Sequence, residues 1–213
     1  MKIKSFQGGF DKNLCYLIWC EKTKMAGLID SSVEIQPIIE FIESENLILS
    51  KILITHTHHD HIAYLHDINN IYNNINIHCH HKAINAKFEF NGLSHNQIIA
   101  IGDEILIAIY TPGHFIDSMC FWNQKRKCLF TGDTMFVGRT GRTISKYSNI
   151  KDLYISTYKK ILTLPNDTMV YPGHHYGFKK SISIKENIEM SNFFNCKSLN
   201  EFEKIMQNFE KNR

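Results

Sequence analysis

Residues 52–61 read Ile52-Leu53-Ile54-Thr55-His56-Thr57-His58-His59-Asp60-His61. An apolar run that ends in a cluster of metal-ligand residues indicates a buried strand that opens into a loop. Side chains alternate between the faces of a strand, so His56 and His58 can point at one ion. A turn after His58 would bring Asp60 and His61 to a second ion. The spacing therefore predicts two metal ions side by side.

Three later segments repeat this pattern of an apolar run followed by a turn that carries a ligand-type residue. They are Thr111-Pro112-Gly113-His114, Thr131-Gly132-Asp133 and Tyr171-Pro172-Gly173-His174. Strand ends that meet at one edge of a sheet are where open sheets build binding sites. Imidazole suits zinc and iron, and carboxylate also tolerates harder ions. The sequence thus predicts one metal site assembled from four strand ends.

The ordered motifs HxHxDH, TPGH, GD and PGH resemble the metallo-β-lactamase superfamily, in particular its glyoxalase II and persulfide dioxygenase branch. The resemblance covers nearly the whole chain. It implies a first metal on His56, His58 and His114, a second on Asp60, His61 and His174, and Asp133 as the bridge between them. His175 is the neighbouring alternative to His174. The histidines interpreted as loop or core residues are His66, His78, His80, His81 and His95, and we place His59 in the cleft wall or behind the ligands.

Strand and helix patterns alternate along the chain. Strands are predicted over 3–7, 14–20, 25–29, 51–54, 76–79, 104–110, 118–122, 127–130 and 168–171. Helices are predicted over 32–45, 60–68, 81–87, 150–162, 182–190 and 198–211. The resemblance implies an α/β fold, the αββα sandwich of two mixed β-sheets flanked by helices, with residues 1–213 as a single domain.

Composition argues against several functional classes. A formal charge of +3 is too small for a nucleic-acid surface. The N-terminus lacks an apolar stretch of the length that a signal peptide or membrane span needs, so we expect a cytoplasmic protein without a membrane partner. Six cysteines without a CxxC pair indicate buried reduced thiols.

The predicted metals suggest the chemistry. Bound zinc lowers the pKa of water from about 15.7 to about 7, which supplies a hydroxide nucleophile. Asp60 and Asp133 are the predicted catalytic carboxylates that orient it. The expected cofactors are two Zn²⁺ ions or a mixed zinc and iron pair. The expected reaction is hydrolysis of a thioester such as an acylglutathione, so the partner would be a small-molecule thiol or thioester.

Substrate-binding candidates follow Asp133 and His174. Arg139 and Arg142 lie in a glycine-rich loop, and a guanidinium there can pair with a substrate carboxylate. Arg142 and Tyr176 fall where the resembling enzymes bind glutathione. Arg139 is as well explained as a solvated or structural charge.

Two departures from the resembling enzymes weaken the assignment to glutathione. Phe115 replaces a usual threonine, and no C-terminal arginine-lysine pair is evident. The main alternative is a persulfide dioxygenase with a single Fe²⁺. A β-lactamase is disfavoured by the missing signal sequence, and a non-catalytic metal protein by the large number of ligands. The oligomeric state is left open.

Overall fold

The computed structural model describes residues 1–73, 75–84 and 86–212. The first half of the chain forms a six-stranded sheet whose strands lie in sequence order. Its first three strands pair antiparallel and the remaining pairs are parallel. The strands are β1 (Lys2–Gly8), β2 (Asn13–Trp19), β3 (Met25–Ile29), β4 (Ile48–Leu53), β5 (Asn76–His80) and β6 (Asn91–Leu93).

The second half forms a second six-stranded sheet, again in sequence order. Only β10 and β11 pair parallel in it, while the other pairs are antiparallel. Its strands are β7 (Gln97–Ile101), β8 (Glu104–Tyr110), β9 (Met119–Asn123), β10 (Cys128–Gly132), β11 (Met169–Pro172) and β12 (Ile182–Ser183).

The helices follow the strand ends. They are α1 (Gln36–Ser44), α2 (Leu65–Ile71), α3 (Ile150–Ser156), α4 (Ile184–Met190) and α5 (Leu199–Lys211). Residues Thr157–Ile161 continue α3 as a π-helical turn, and His59–His61 and Asn192–Phe194 form single 3₁₀ turns. Helix α4 begins with a capping box between Ser183 and Glu186, which satisfies free backbone N–H groups at its start. Within the described residues, no helix is both long and apolar enough to cross a membrane.

The core lies in three layers. Between the sheets, inward residues such as Tyr16, Leu53 and Phe130 pack together. On the outer face of the first sheet, α1 and α2 add Ile38 and Ile68. The outer face of the second sheet packs against α4 and the segments next to it. This layering confirms two mixed sheets with helices outside, because each sheet buries both of its faces.

Most predicted elements are present with shifted ends, but the helix predicted over 81–87 is wrong. In the described part of that segment, residues 81–84 and 86–87 are turn or irregular, while position 85 lies outside the described residues. The physical reason lies just beyond, where Phe88 and Phe90 both pack on the core at a spacing of two, which suits extended chain. The prediction also missed β6, β7 and β12.

The other helix predictions need shorter bounds. The segment predicted over 32–45 becomes helical only at α1, whose first turn contains Pro37. The segment predicted over 60–68 divides into a 3₁₀ turn and α2, and the one over 182–190 starts as β12. All six cysteines are buried and unpaired.

Candidate metal centre

Four strand ends deliver the seven predicted ligands to one edge of the sandwich. The loop after β4 carries His56, His58, Asp60 and His61, and the turns after β8, β10 and β11 carry the remaining three. The 3₁₀ turn His59–His61 reverses the chain after His58, as the spacing of the motif required. The close approach depends on Gly173, where a Cβ would lie 2.6 Å from Asp133 Oδ1.

The first ligand group joins His56, His58 and His114. The Nδ1 atom of His58 lies 2.9 Å from His56 Nε2 and 3.0 Å from His114 Nε2. Burial lowers the pKa of all three imidazoles, that of His58 to about 4. Burial therefore favours the neutral imidazole, which is the form that binds a cation.

The second group joins Asp60, His61 and His174. Asp60 Oδ2 lies 3.6 Å from His61 Nε2 and 3.3 Å from His174 Nε2, and the two imidazole Nε2 atoms lie 3.3 Å apart. Burial opposes protonation of His174, but Asp133 and Asp60 outweigh it and raise its pKa to about 9. Both groups gather their donor atoms closely enough to hold a cation.

Asp133 lies between the two groups. Its Oδ1 is 3.2 Å from His61 Nε2, and its Oδ2 is 3.5 Å from His114 Nε2 and 3.4 Å from His174 Nε2. Oδ1 is buried, and no donor meets it with good hydrogen-bond geometry, although His61 Nε2 lies within 3.2 Å. A buried carboxylate oxygen without a donor is rare unless an ion or water completes it. The residues therefore fit a metal centre in which Asp133 lies between the two ligand groups.

The outward-facing ring nitrogens are held by oxygen atoms. His61 Nδ1 lies 2.8 Å from Asp30 Oδ2, His114 Nδ1 lies 2.8 Å from the Arg142 carbonyl, and His174 Nδ1 lies 3.0 Å from the Asp11 carbonyl. Each oxygen can accept a hydrogen bond from Nδ1–H, which leaves the Nε2 lone pair free for a metal. Such contacts commonly fix the orientation of metal-binding histidines.

The sequence analysis did not identify three residues that support the ligands or the loops that carry them. Asp30 also accepts hydrogen bonds from the backbone N–H and the hydroxyl of Thr55. Asn13 donates to Asp60 Oδ2 at 2.9 Å. Asp117 accepts from the N–H of Thr57, so it joins the first ligand loop to the loop after His114. One signal was available, because Asp30 directly follows β3 and so reaches the same sheet edge.

A cleft of about 350 Å³ opens over the ligands, and two of the three substrate-binding candidates line it. Arg142 is exposed at its wall. The Tyr176 ring stacks on His174 with centroids 4.8 Å apart, and its hydroxyl donates to Asp11 Oδ2. Arg139 does not line the cleft. Its guanidinium carbon lies 4.2 Å from the centroid of the Tyr176 ring, with Phe136 and Phe209 also beneath it.

Comparison with known proteins decides the family. The model of the metallo-β-lactamase superfamily matches residues 8–174. The chain belongs to this superfamily. Its matched region contains all seven predicted ligands of the candidate metal centre.

The relatives of this chain within the superfamily carry different names. A probable polyketide biosynthesis zinc-dependent hydrolase from Bacillus velezensis is 30% identical over 89% of this chain and 85% of its own length. A hydroxyacylglutathione hydrolase from Francisella philomiragia is 35% identical over 73% of this chain but only 62% of its own length. The crystal structure of ETHE1 from Myxococcus xanthus has a TM-score of 0.89 at 28% identity, covering 98% of this chain and 91% of that one.

Proposed function

We propose that this protein is a metal-dependent thioester hydrolase that acts at the seven-residue centre. The observation that carries the proposal is the buried Asp133 carboxylate, which lies between two groups of ligands whose donor atoms are close enough to hold cations. The similarity to hydrolases, among them hydroxyacylglutathione hydrolase, supports this reaction class. We further propose that residues 1–213 act as one domain in the cytoplasm.

The ligands proposed for the first metal are His56, His58 and His114, and those for the second are Asp60, His61 and His174. When bound, two divalent cations such as Zn²⁺ would acidify water and polarise a substrate carbonyl. The chain supplies orientation. Asn13 fixes the rotamer of Asp60, whose carboxylate faces the cleft, and the paired Asp133 oxygens face both groups. These two carboxylates hold a water proton in position and balance the positive charge.

The walls of the cleft bind the rest of the substrate in this proposal. Arg142 is exposed and has its guanidinium available for a carboxylate of the thiol portion, as in a glutathione conjugate. Tyr176 lines the cleft with its ring stacked on His174. Arg139 supports the Tyr176 ring from outside the cleft, so we assign it a positioning role instead of the direct contact considered from sequence.

A second candidate is oxidation of a persulfide by a single Fe²⁺. The resemblance of the sequence motifs to persulfide dioxygenases is consistent with it, and ETHE1 shares the fold over nearly the full length of both chains. It does not favour oxidation over hydrolysis, because the same residues serve both kinds of centre. The two reactions differ in their co-substrate, since only the dioxygenase consumes oxygen.

The test is a paired assay on the purified protein. Thiol release from an acylglutathione and oxygen uptake with glutathione persulfide are measured for the wild type, His58→Ala and His66→Ala. His66 is exposed and lies outside the metal centre, so its variant is the matched control. The proposal predicts thiol release by the wild type and the control, and its loss in His58→Ala. Oxygen uptake without thiol release would establish the second candidate instead.

A further inference from the structure

A second cavity adjoins the metal centre on the side of the first ligand loop. It has a volume of about 390 Å³ and a mainly apolar lining of Thr57, His59, Ile62, Ile84, Lys87 and Phe88. Thr57 stands between two of the metal ligands, so the backbone that holds the metal also forms a wall of this cavity. We call it the apolar pocket.

Phe10 and His59 form the boundary between the cleft and the apolar pocket. Phe10 lines the cleft, whereas His59 lines the pocket. Their rings meet edge to face with centroids 5.7 Å apart. The Phe10–His59 ring pair is therefore the shared wall of the cleft and the apolar pocket.

One apolar side chain of the cleft and one of the apolar pocket are exposed to solvent. Phe10 is 52% exposed and Ile84 is 44% exposed. Apolar side chains beside a cleft that holds convergent polar groups are typical of ligand-binding surfaces. The ammonium of Lys87 can extend into water while its methylene stem completes the lining. The surface thus suits an uncharged hydrocarbon chain of several carbons.

We propose that the apolar pocket binds the acyl chain of the thioester, and that extended apolar acyl groups are the preferred substrates. This inference rests on the proposed hydrolase function. The reacting carbonyl must lie beside the ligand groups, so the acyl portion and the thiol portion of the substrate point in different directions. The thiol portion has Arg142 and Tyr176 as polar neighbours, whereas the acyl portion has Phe10, His59 and the pocket behind them.

The reaction itself stays a hydrolysis. Water adds its oxygen to the carbonyl carbon, the carbon–sulfur bond breaks, and the sulfur leaves as a thiol after taking a proton. The acid product keeps the hydrocarbon chain. No oxidant or reductant takes part. The length of the acyl chain changes substrate binding and positioning, but not the bonds that form and break.

The test compares thioesters of one thiol with acyl groups from acetyl to hexanoyl. Each buried methylene is expected to raise kcat/KM about fourfold, which gives on the order of 10²-fold over four methylenes. Phe10→Ser and Ile84→Ser are expected to reduce this gain. Ile98→Ser is the matched control, because Ile98 is 67% exposed on β7 and lies outside both cavities. It is expected to keep the wild-type dependence on chain length.

The outcomes separate this inference from the proposed function. Hydrolysis with a kcat/KM that stays flat or falls with chain length overturns the inference and leaves the hydrolase intact. If no thioester is cleaved, S-alkyl thioethers of the same thiol still test the pocket, since they bind without reacting. Affinity that rises with alkyl length in the wild type and less in Ile84→Ser supports the pocket, whereas equal affinities overturn it.

Discussion

Replacing Asp30 by asparagine should weaken metal binding without removing a ligand. The Asp30 side chain is buried and accepts hydrogen bonds from the backbone N–H of Thr55 at 2.7 Å and its hydroxyl at 2.8 Å. Its Oδ2 lies 2.8 Å from His61 Nδ1. Asparagine has nearly the same shape, but one of the two oxygens becomes an NH₂ group. The substitution therefore changes proton arrangement more than packing.

The expected magnitude comes from the hydrogen bond to His61. If the oxygen of the asparagine stays opposite the Thr55 N–H, its NH₂ group faces His61 Nδ1 and favours the tautomer with the proton on Nε2. That nitrogen faces Asp60 and His174 in the ligand group. Losing a hydrogen bond to a charged acceptor costs about 1.5–3 kcal/mol, and changes behind metal ligands typically cost about 10–100-fold in affinity.

The assay titrates metal-free protein with Zn²⁺ in competition with a chromophoric chelator. Asp30→Asn is expected to bind about 10–100-fold more weakly at the group containing His61. Asp103→Asn is the control, since Asp103 is exposed and pairs with Lys22 on the surface. Affinity of Asp30→Asn within about threefold of the wild type at every bound ion would refute the role given to Asp30, because losing a supporting contact behind a metal ligand typically weakens metal binding at least about tenfold.

Three further perturbations test other parts of the account. Substituting His58 with alanine should lower kcat/KM by at least about 10²-fold, since a metal ligand is lost, while the metal-free variant keeps the wild-type circular dichroism spectrum. Gly173→Ala should lower metal content, measured by elemental analysis, because its Cβ would lie 2.6 Å from Asp133 Oδ1; full metal content would contradict this. The contact with Arg126 outweighs burial and lowers the pKa of Glu104 to about 2. The Glu104 carboxylate thus stabilises the fold above its unfolded pKa of about 4.3, and that contribution is lost as the pH falls through about 2. Urea midpoints of wild type and Glu104→Gln should accordingly differ at pH 7 and converge in acid.

The strands that end in ligands were predictable because two signals coincide there. Strands 25–29 and 104–110 have the predicted bounds, and each of the four ligand turns follows an apolar run. Buried strands need such runs, and the polar turn residue marks the sheet edge. Because every such strand end lies at the same sheet edge, the sequence also predicted which ligand residues lie close together.

Elements with a weak pattern were missed. Strand β6 is only three residues long and contains Gly92, and β7 exposes Ile98 while burying Ile99 and Ile101. Strand β6 offers neither the apolar run nor the alternation that identifies a strand. Strand β7 does contain an apolar run at residues 98–101, so its sequence carried a signal that the prediction did not use. The supporting roles of Asp30 and Asp117 depend on contacts with residues 25 and 60 positions away. Such contacts follow from the fold, and the one local signal was the position of Asp30 directly after β3.

The most direct test of the central claim is metal-dependent thioester hydrolysis measured together with elemental metal content. The metal-free protein is titrated with Zn²⁺, and thiol release from one acyl thioester is followed as the ion is added. For a metal-dependent hydrolase we expect no hydrolysis without metal, and activity that rises until about two ions are bound per chain. Full hydrolysis by the metal-free protein, or no hydrolysis after saturation with metal, would contradict it.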